Sequence, residues 1–330
     1  VRQSDNLPGE RIALGDKLEL LVDVFAPSAP THIFNTPEFF RLHAGENGTK
    51  GHYFQLAERK SRIVLATLHF TQTSPGFYRS PARGTFGGIS APAELSLESI
   101  EALTAAAEAA LRNKGAANMH IVMPPASHDA SMLAKCFNVF ARQGFGMAGQ
   151  EINYDLEVSN TPFSERIDYG NRKRLNKCLR EGFAMVRLGP ECYEPAYQII
   201  AENRRRKGYP VTMDFAAVME MVDTFGDRMR FFGVTRDSEL VAAAICIAVS
   251  AQVMSVFYWG DREGVQDYSP VVLLSSGIYE HCQENGIAIL DTGIATEAGE
   301  PNHGLIRFKR SLGLRESLKL AVSKDLSGHA

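Results

Sequence analysis

Stretches with strand-like and helix-like spacing of apolar residues take turns along this chain. Residues 52–57 (HYFQLA) and 61–71 (SRIVLATLHFT) are dense in apolar and β-branched side chains and predict strands. The stretch 73–93 is rich in Gly, Pro and Ser and predicts a loop holding one short strand. Between about 97 and 113, Ile100, Leu103, Ala107 and Leu111 share one helical face, and Gly115 supplies the stop. A strand at 117–123, a helix at about 129–142 and a strand at about 149–157 complete this half. Upstream, Asn35-Thr36-Pro37 opens a short helix, while residues 1–30 show turn formers and weak periodicity.

The second half runs in the same order. Helices at about 191–206 and 214–225 lead into strands at 229–235, 239–249 and 252–260. A helix at about 270–284 follows, with Ser269 at its N-cap, Pro270 at its first position and Gly286 beyond its end. A strand at 287–292, a helix at about 303–312 and a strand at about 315–323 close the chain. The last strand, helix and strand of the two halves match at one offset of about 170 residues, the signature of an internal duplication. The 330 residues therefore predict two α/β domains, 1–160 and 161–330, each a mixed sheet flanked by helices.

Composition narrows the chemistry by exclusion. Apolar residues make up 45 % and charged residues 22 %, ordinary for a globular chain. A net charge of −3 confines any polyanion site to a local patch and argues against a general DNA binder. The five cysteines are odd in number and form no C-x-x-C, which points to reduced thiols and a cytoplasmic setting, with no metal centre. No apolar run nears the ~18–20 residues that span a bilayer, and no signal-peptide pattern is present. There is no P-loop and no G-x-S-x-G elbow. The glycines of RGTFGG (Gly84, Gly87, Gly88) have the wrong spacing for a dinucleotide fingerprint. What remains suits chemistry by positioning and a few charged groups, without a tightly bound cofactor.

Three stretches carry a family resemblance. Residues 290–313 (LDTGIATEAGEPNHGLIRFKRSLG) contain a strand ending in Asp291 with Gly293 after it. A helix follows that reads Gly304, Leu305, Phe308, Lys309 and Gly313. NRKRLNKCLREGF (171–183) and ENRRRKGYP (202–210) precede it in order. Together they resemble the Fem-type transferases and their relatives with tandem GNAT domains, over residues 160–325. The resemblance implies acyl or aminoacyl transfer to an amine without a covalent enzyme intermediate, with most of the site in the second domain. The co-substrate implied is an acyl-CoA or an aminoacyl-tRNA, and the acceptor a small molecule or a bacterial cell-envelope peptide precursor. The GNAT phosphate loop departs from its usual form: residues 261–270 (DREGVQDYSP) hold only Gly264. A helix N-terminus still offers free N–H groups to phosphate. The alternative is a non-catalytic module of the same fold that captures a phosphate-rich ligand.

Residue by residue, the helical wheel puts Lys309 on the inward arc with Leu305 and Phe308, so its charge needs a partner. That partner is either Asp291 or a substrate phosphate or oxyanion. Asp291 follows Ile287 and Ile289 on one strand face, as a general base or as a brace. Tyr258 lies on strand 252–260, from which the resemblance implies a phenol that faces the donor and protonates its leaving group; the alternative is an ordinary half-buried strand tyrosine. Arg172, Arg174, Lys177 and Arg205, with Ser269 and His303 at helix starts, form the candidate phosphate- and substrate-binding set.

Overall fold

The first two strands are ones that the pattern does not announce. In a computed structural model describing residues 9–44 and 50–328, β1 (Glu10–Leu14) and β2 (Leu18–Val22) pair antiparallel. The chain continues through α1 (Pro37–His43), β3 (Gly51–Glu58), β4 (Val64–Ser74) and β5 (Phe77–Ser80). Then come α2 (Leu97–Asn113), β6 (Asn118–Val122), α3 (Ala130–Arg142) and β7 (Gly146–Glu157). The second stretch runs α4 (Phe163–Arg166), α5 (Tyr169–Arg180), β8 (Ala184–Arg187), α6 (Tyr193–Arg206) and α7 (Phe215–Phe225). After them lie β9 (Met229–Arg236), β10 (Glu239–Ala248), β11 (Val253–Asp261), α8 (Pro270–Glu284) and β12 (Ile289–Ile294). The two-residue strands β13 (Thr296–Glu297) and β14 (Glu300–Pro301), then α9 (His303–Ser311) and β15 (Arg315–Asp325), end it.

The chain forms two compact units, Val1–Glu151 with Leu318–Ala330, and Ile152–Ser317. In the first, β2, β3, β4 and β5 pair antiparallel in turn, β5 pairs parallel with β6, and β6 pairs antiparallel with β15. In the second, β8, β9, β10 and β11 pair antiparallel in turn, β11 pairs parallel with β12, and β12 pairs antiparallel with β7. The succession is the same in both. Each closing strand comes from the far end of the other half of the sequence: residues 321–325 complete the first sheet and 153–157 the second. The architecture is mixed α/β with the order that the 170-residue offset predicts.

Local signals explain the long helices. Ser96 caps α2 by accepting from Ser99 N at 3.2 Å, and Ile100, Leu103, Ala107 and Leu111 are all buried against the sheet. Pro270 opens α8 as expected, but Ser269 does not cap it. Its backbone is left-handed (φ 52°), which turns the hydroxyl back to donate to Gln266 O at 3.2 Å. Each unit has its own core. Leu68, Phe70, Leu103 and Phe140 mark the first, and Cys246, Met254, Val272 and Leu290 the second.

In the first unit the His69 imidazole is buried and that of His43 is partly buried. His69 is 2 % exposed, and a ring N–H at Nε2 donates to Phe34 O at 2.8 Å. His43 packs edge-on to Phe39. Burial pushes both pKa values down to about 4 from 6.5. Between those values the unfolded chain binds more protons than the folded one. Stability is therefore full above pH ~6.5 and is lost as pH falls toward ~4. Two such groups give a slope of about 2.7 kcal/mol per pH unit at its steepest. Calorimetry from neutral pH to about pH 5 should show the first unit melting progressively earlier. A flat profile would mean that the histidines are not buried neutral.

Candidate active site

In the second unit β11 and β12 start as parallel neighbours and then separate. Their ladder covers only Val253–Ser255 against Ile289–Asp291. At Phe257 β11 carries an extra residue, since Ile245 faces Tyr258 while the next residue, Cys246, faces Val256. Such a bulge bends a strand and re-aims the side chains beyond it.

Two clamps hold the strands apart. At the end of β11, Asp261 accepts hydrogen bonds from Asn203 and Arg206 of α6. Gly260 allows that approach, because a Cβ there would lie 2.8 Å from Asn203 Cβ. Burial raises the Asp261 carboxyl above the usual carboxylate range, with Lys207 and Arg206 opposing the shift. At the end of β12, Lys309 reaches in from α9. Its ammonium donates to the carbonyls of Thr292 (2.8 Å), Gly293 (2.7 Å) and Ile294 (3.0 Å). Asp291 is fully buried and accepts from Asn153 Nδ2 (2.9 Å) and Gly293 N (2.7 Å).

The separation leaves an apolar cleft between the two strands. Val256 and Trp259 of β11 face Leu290 and Thr292 of β12 across it. Ser275 and Ile278 of α8 form one wall, and Phe163, Leu312 and Leu314 close it. Leu312 and Leu314 are set by Gly313 between them, whose φ is +79°. A Cβ at Gly313 would lie 2.5 Å from Arg166 O. Gly313→Ala should therefore destabilise the second unit by about 2–4 kcal/mol, combining left-handed strain with overpacking. A denaturant midpoint equal to the parent's would refute this.

Among the described residues of the first unit the corresponding strands do not separate. There β5 and β6 stay paired over all four residues of β5. The RGTFGG segment then folds back: Gly87 N donates to Val122 O (2.8 Å) and Gly88 N to Ser80 Oγ (3.0 Å). The Asn35 amide donates to Gly88 O at 2.6 Å. These glycines serve backbone packing, since a Cβ on Gly87 would sit 2.7 Å from Pro81 N.

Asp291 and Lys309 thus meet at one place, the end of β12. Tyr258 lies elsewhere. Its hydroxyl pairs with Thr212 Oγ1 and accepts from Met213 N at 3.2 Å, on the side of α6 and the loop before α7. The Arg204 guanidinium sits 5.1 Å from its ring centroid. Nearby, Asn302 donates to the Tyr209 hydroxyl at 2.6 Å and caps α9 by accepting from Leu305 N. His303 is the exposed first residue of that helix.

The basic set divides. Arg172 donates to Ser164 O (2.7 Å) and Arg174 to Asn171 Oδ1 (3.0 Å), both within the α4–α5 region. Arg205 is exposed near the end of α6. Lys177 alone of these reaches the loop before α8, with its ammonium 4.3 Å from the Tyr268 ring centroid. Arg236 lies 5.0 Å from the same ring. Lys177, Arg236, Tyr268 and Ser269 therefore gather at the start of α8. Thr212, Trp259, Arg236 and Tyr268 were not singled out from the sequence, and Arg204 stood there only within the basic stretch 202–210. Their roles depend on strands and loops meeting in space. Among the described residues no cluster of three or more His, Cys, Asp or Glu could hold a metal ion. None of the described helices is long and apolar enough to cross a membrane.

Comparison with known proteins agrees with this geometry. Residues 170–310 match the family model described as acetyltransferase (GNAT) domain. No curated protein sequence matches the chain. Among solved structures, FemX is similar with a TM-score of 0.71 at 12 % identity, covering 91 % of this chain and 93 % of that one. The C-terminal domain of a putative lysylphosphatidylglycerol synthetase from Agrobacterium fabrum matches with a TM-score of 0.56 at 10 % identity, covering 79 % and 81 %. L-PGS from Bacillus licheniformis matches at 0.55 and 12 % identity, covering 80 % and 82 %. Over residues 170–310 the chain is similar to a GNAT domain, within a fold that it shares with FemX.

Proposed function

We propose that the second unit transfers an acyl group from an activated carrier to an acceptor amine. The observation that carries this reading is the cleft between the separated strands β11 and β12, in the region that matches a GNAT domain. The acyl group enters the cleft. The carrier's phosphates lie at the start of α8, where Lys177 and Arg236 add positive charge to the positive end of the helix dipole. The acceptor approaches from the other side, past Tyr209, Thr212 and His303. Arg172, Arg174 and Arg205 extend the basic surface that a larger carrier such as tRNA would use, and acyl-CoA is the smaller carrier of the same chemistry.

In the reaction the neutral amine attacks the acyl carbon, so an N–C bond forms and the bond from carbon to the carrier's sulfur or oxygen breaks. The amine sheds one proton to water. The departing atom takes one from the Tyr258 hydroxyl, which Thr212 and Arg204 hold in place, and the phenolate recovers its proton from water. Asp291 and Lys309 act as positioning residues that fix the end of β12. The test is release of free thiol from acyl-CoA donors against a panel of amines, with aminoacyl-tRNA donors in parallel. Amine-dependent loss of donor supports the reading. If no donor is consumed with any amine, the non-catalytic reading takes its place.

A further inference from the structure

The lining of the cleft selects what can enter it. No charged residue lines it, and its two hydroxyls are already committed. Ser275 Oγ donates to Val271 O at 2.8 Å within its own helix, and Thr292 Oγ1 donates to Tyr154 O at 3.0 Å. Both therefore spend their hydrogens on backbone. The rest of the wall is Leu, Ile, Val and Phe with the Trp259 indole. An ammonium placed there would lose its water and meet no carboxylate, only two hydroxyl oxygens in an otherwise apolar wall, a penalty that a hydrocarbon chain avoids. We infer that the acyl group this cleft receives is an uncharged aliphatic chain, so the donor is a fatty-type acyl carrier in preference to an aminoacyl one. This rests on the acyl-transfer reading of the same cleft and narrows its donor class.

The cleft supplies its own reporter, because Trp259 is the only tryptophan in the chain. Titrating the protein with CoA and with its acetyl, butyryl, hexanoyl and octanoyl thioesters, and following Trp259 emission, reads binding with no acceptor present. Affinity should rise about fourfold for each methylene added until the cleft is full. A second pair isolates the amine: 4-methylpentanoyl-CoA and leucyl-CoA share a carbon skeleton and differ only in the 2-amino group. The leucyl thioester should bind more weakly, by on the order of tenfold or more. Ser275→Leu should pull octanoyl-CoA affinity down toward that of acetyl-CoA by filling the wall from α8. The wild-type series decides the matter if that variant does not fold. CoA binding with no dependence on chain length, or equal affinity for the leucyl and 4-methylpentanoyl thioesters, overturns the inference and leaves acyl transfer standing. If neither CoA nor any thioester alters Trp259 emission or the melting temperature, the thioester reading falls together with it.

Discussion

Lys309→Met should melt the second unit on the order of 10 °C below the parent. The Lys309 side chain is 2 % exposed and donates to three successive carbonyls at the end of β12. Methionine keeps the length and apolar stem but leaves those carbonyls without their charged donor. An unsatisfied buried acceptor costs about 1–3 kcal/mol. Some water entry would bring the total to about 3–5 kcal/mol, and in a unit of this size each kcal/mol is worth about 2–4 °C. Transfer should fall with it, because the end of β12 forms one lip of the cleft. A variant that melts with the parent yet loses transfer would show that the ammonium serves a ligand and not the strand.

Tyr258→Phe should do the opposite, lowering turnover by about 10²-fold or more while the fold holds. Phenylalanine fills the same space, so the ring stays under Arg204. The loss is the proton donor and two hydrogen bonds, to Thr212 and Met213, at a cost of about 1–2 kcal/mol. KM for the donor should change little, because the hydroxyl serves the departing atom only as its bond to carbon breaks and is not one of the groups that line the cleft. Equal turnover in variant and parent would remove Tyr258 from the chemistry.

The sequence was informative where a residue's burial shows in its spacing. Helix α2 could be read from Ile100, Leu103, Ala107 and Leu111, and Lys309 stood out because a wheel places it inward. Strand β1 could not be read, as none of its five residues is buried and no alternation marks it. Four-residue β8 is too short for a period to register. The exchange of closing strands was also hidden, since alternation shows which face of a strand is buried and not which edge it joins. The cleft joins residues from β7, β11, β12, α4, α8 and the turn after α9. Spacing within one element cannot reveal such a convergence. Tyr258 was visible as a strand tyrosine, but Thr212 and Arg204 take meaning only from where a loop and a helix end fall in space.

The order in which the ribosome delivers these strands has a cost that the finished molecule does not show. The edge of β6 that β15 will occupy emerges with Val122, but its partner Ala321 is made 199 residues later. At about 5–20 residues per second the nascent first unit waits roughly 10–40 s with that edge open. Its unpaired N–H and C=O groups form a template for any other extended chain nearby. The second unit never waits in this way, because β7 has been synthesised long before β12 needs it. Chaperone demand during synthesis should therefore fall on the first half of the chain, and moving the codons for residues 318–328 ahead of the rest would relieve it.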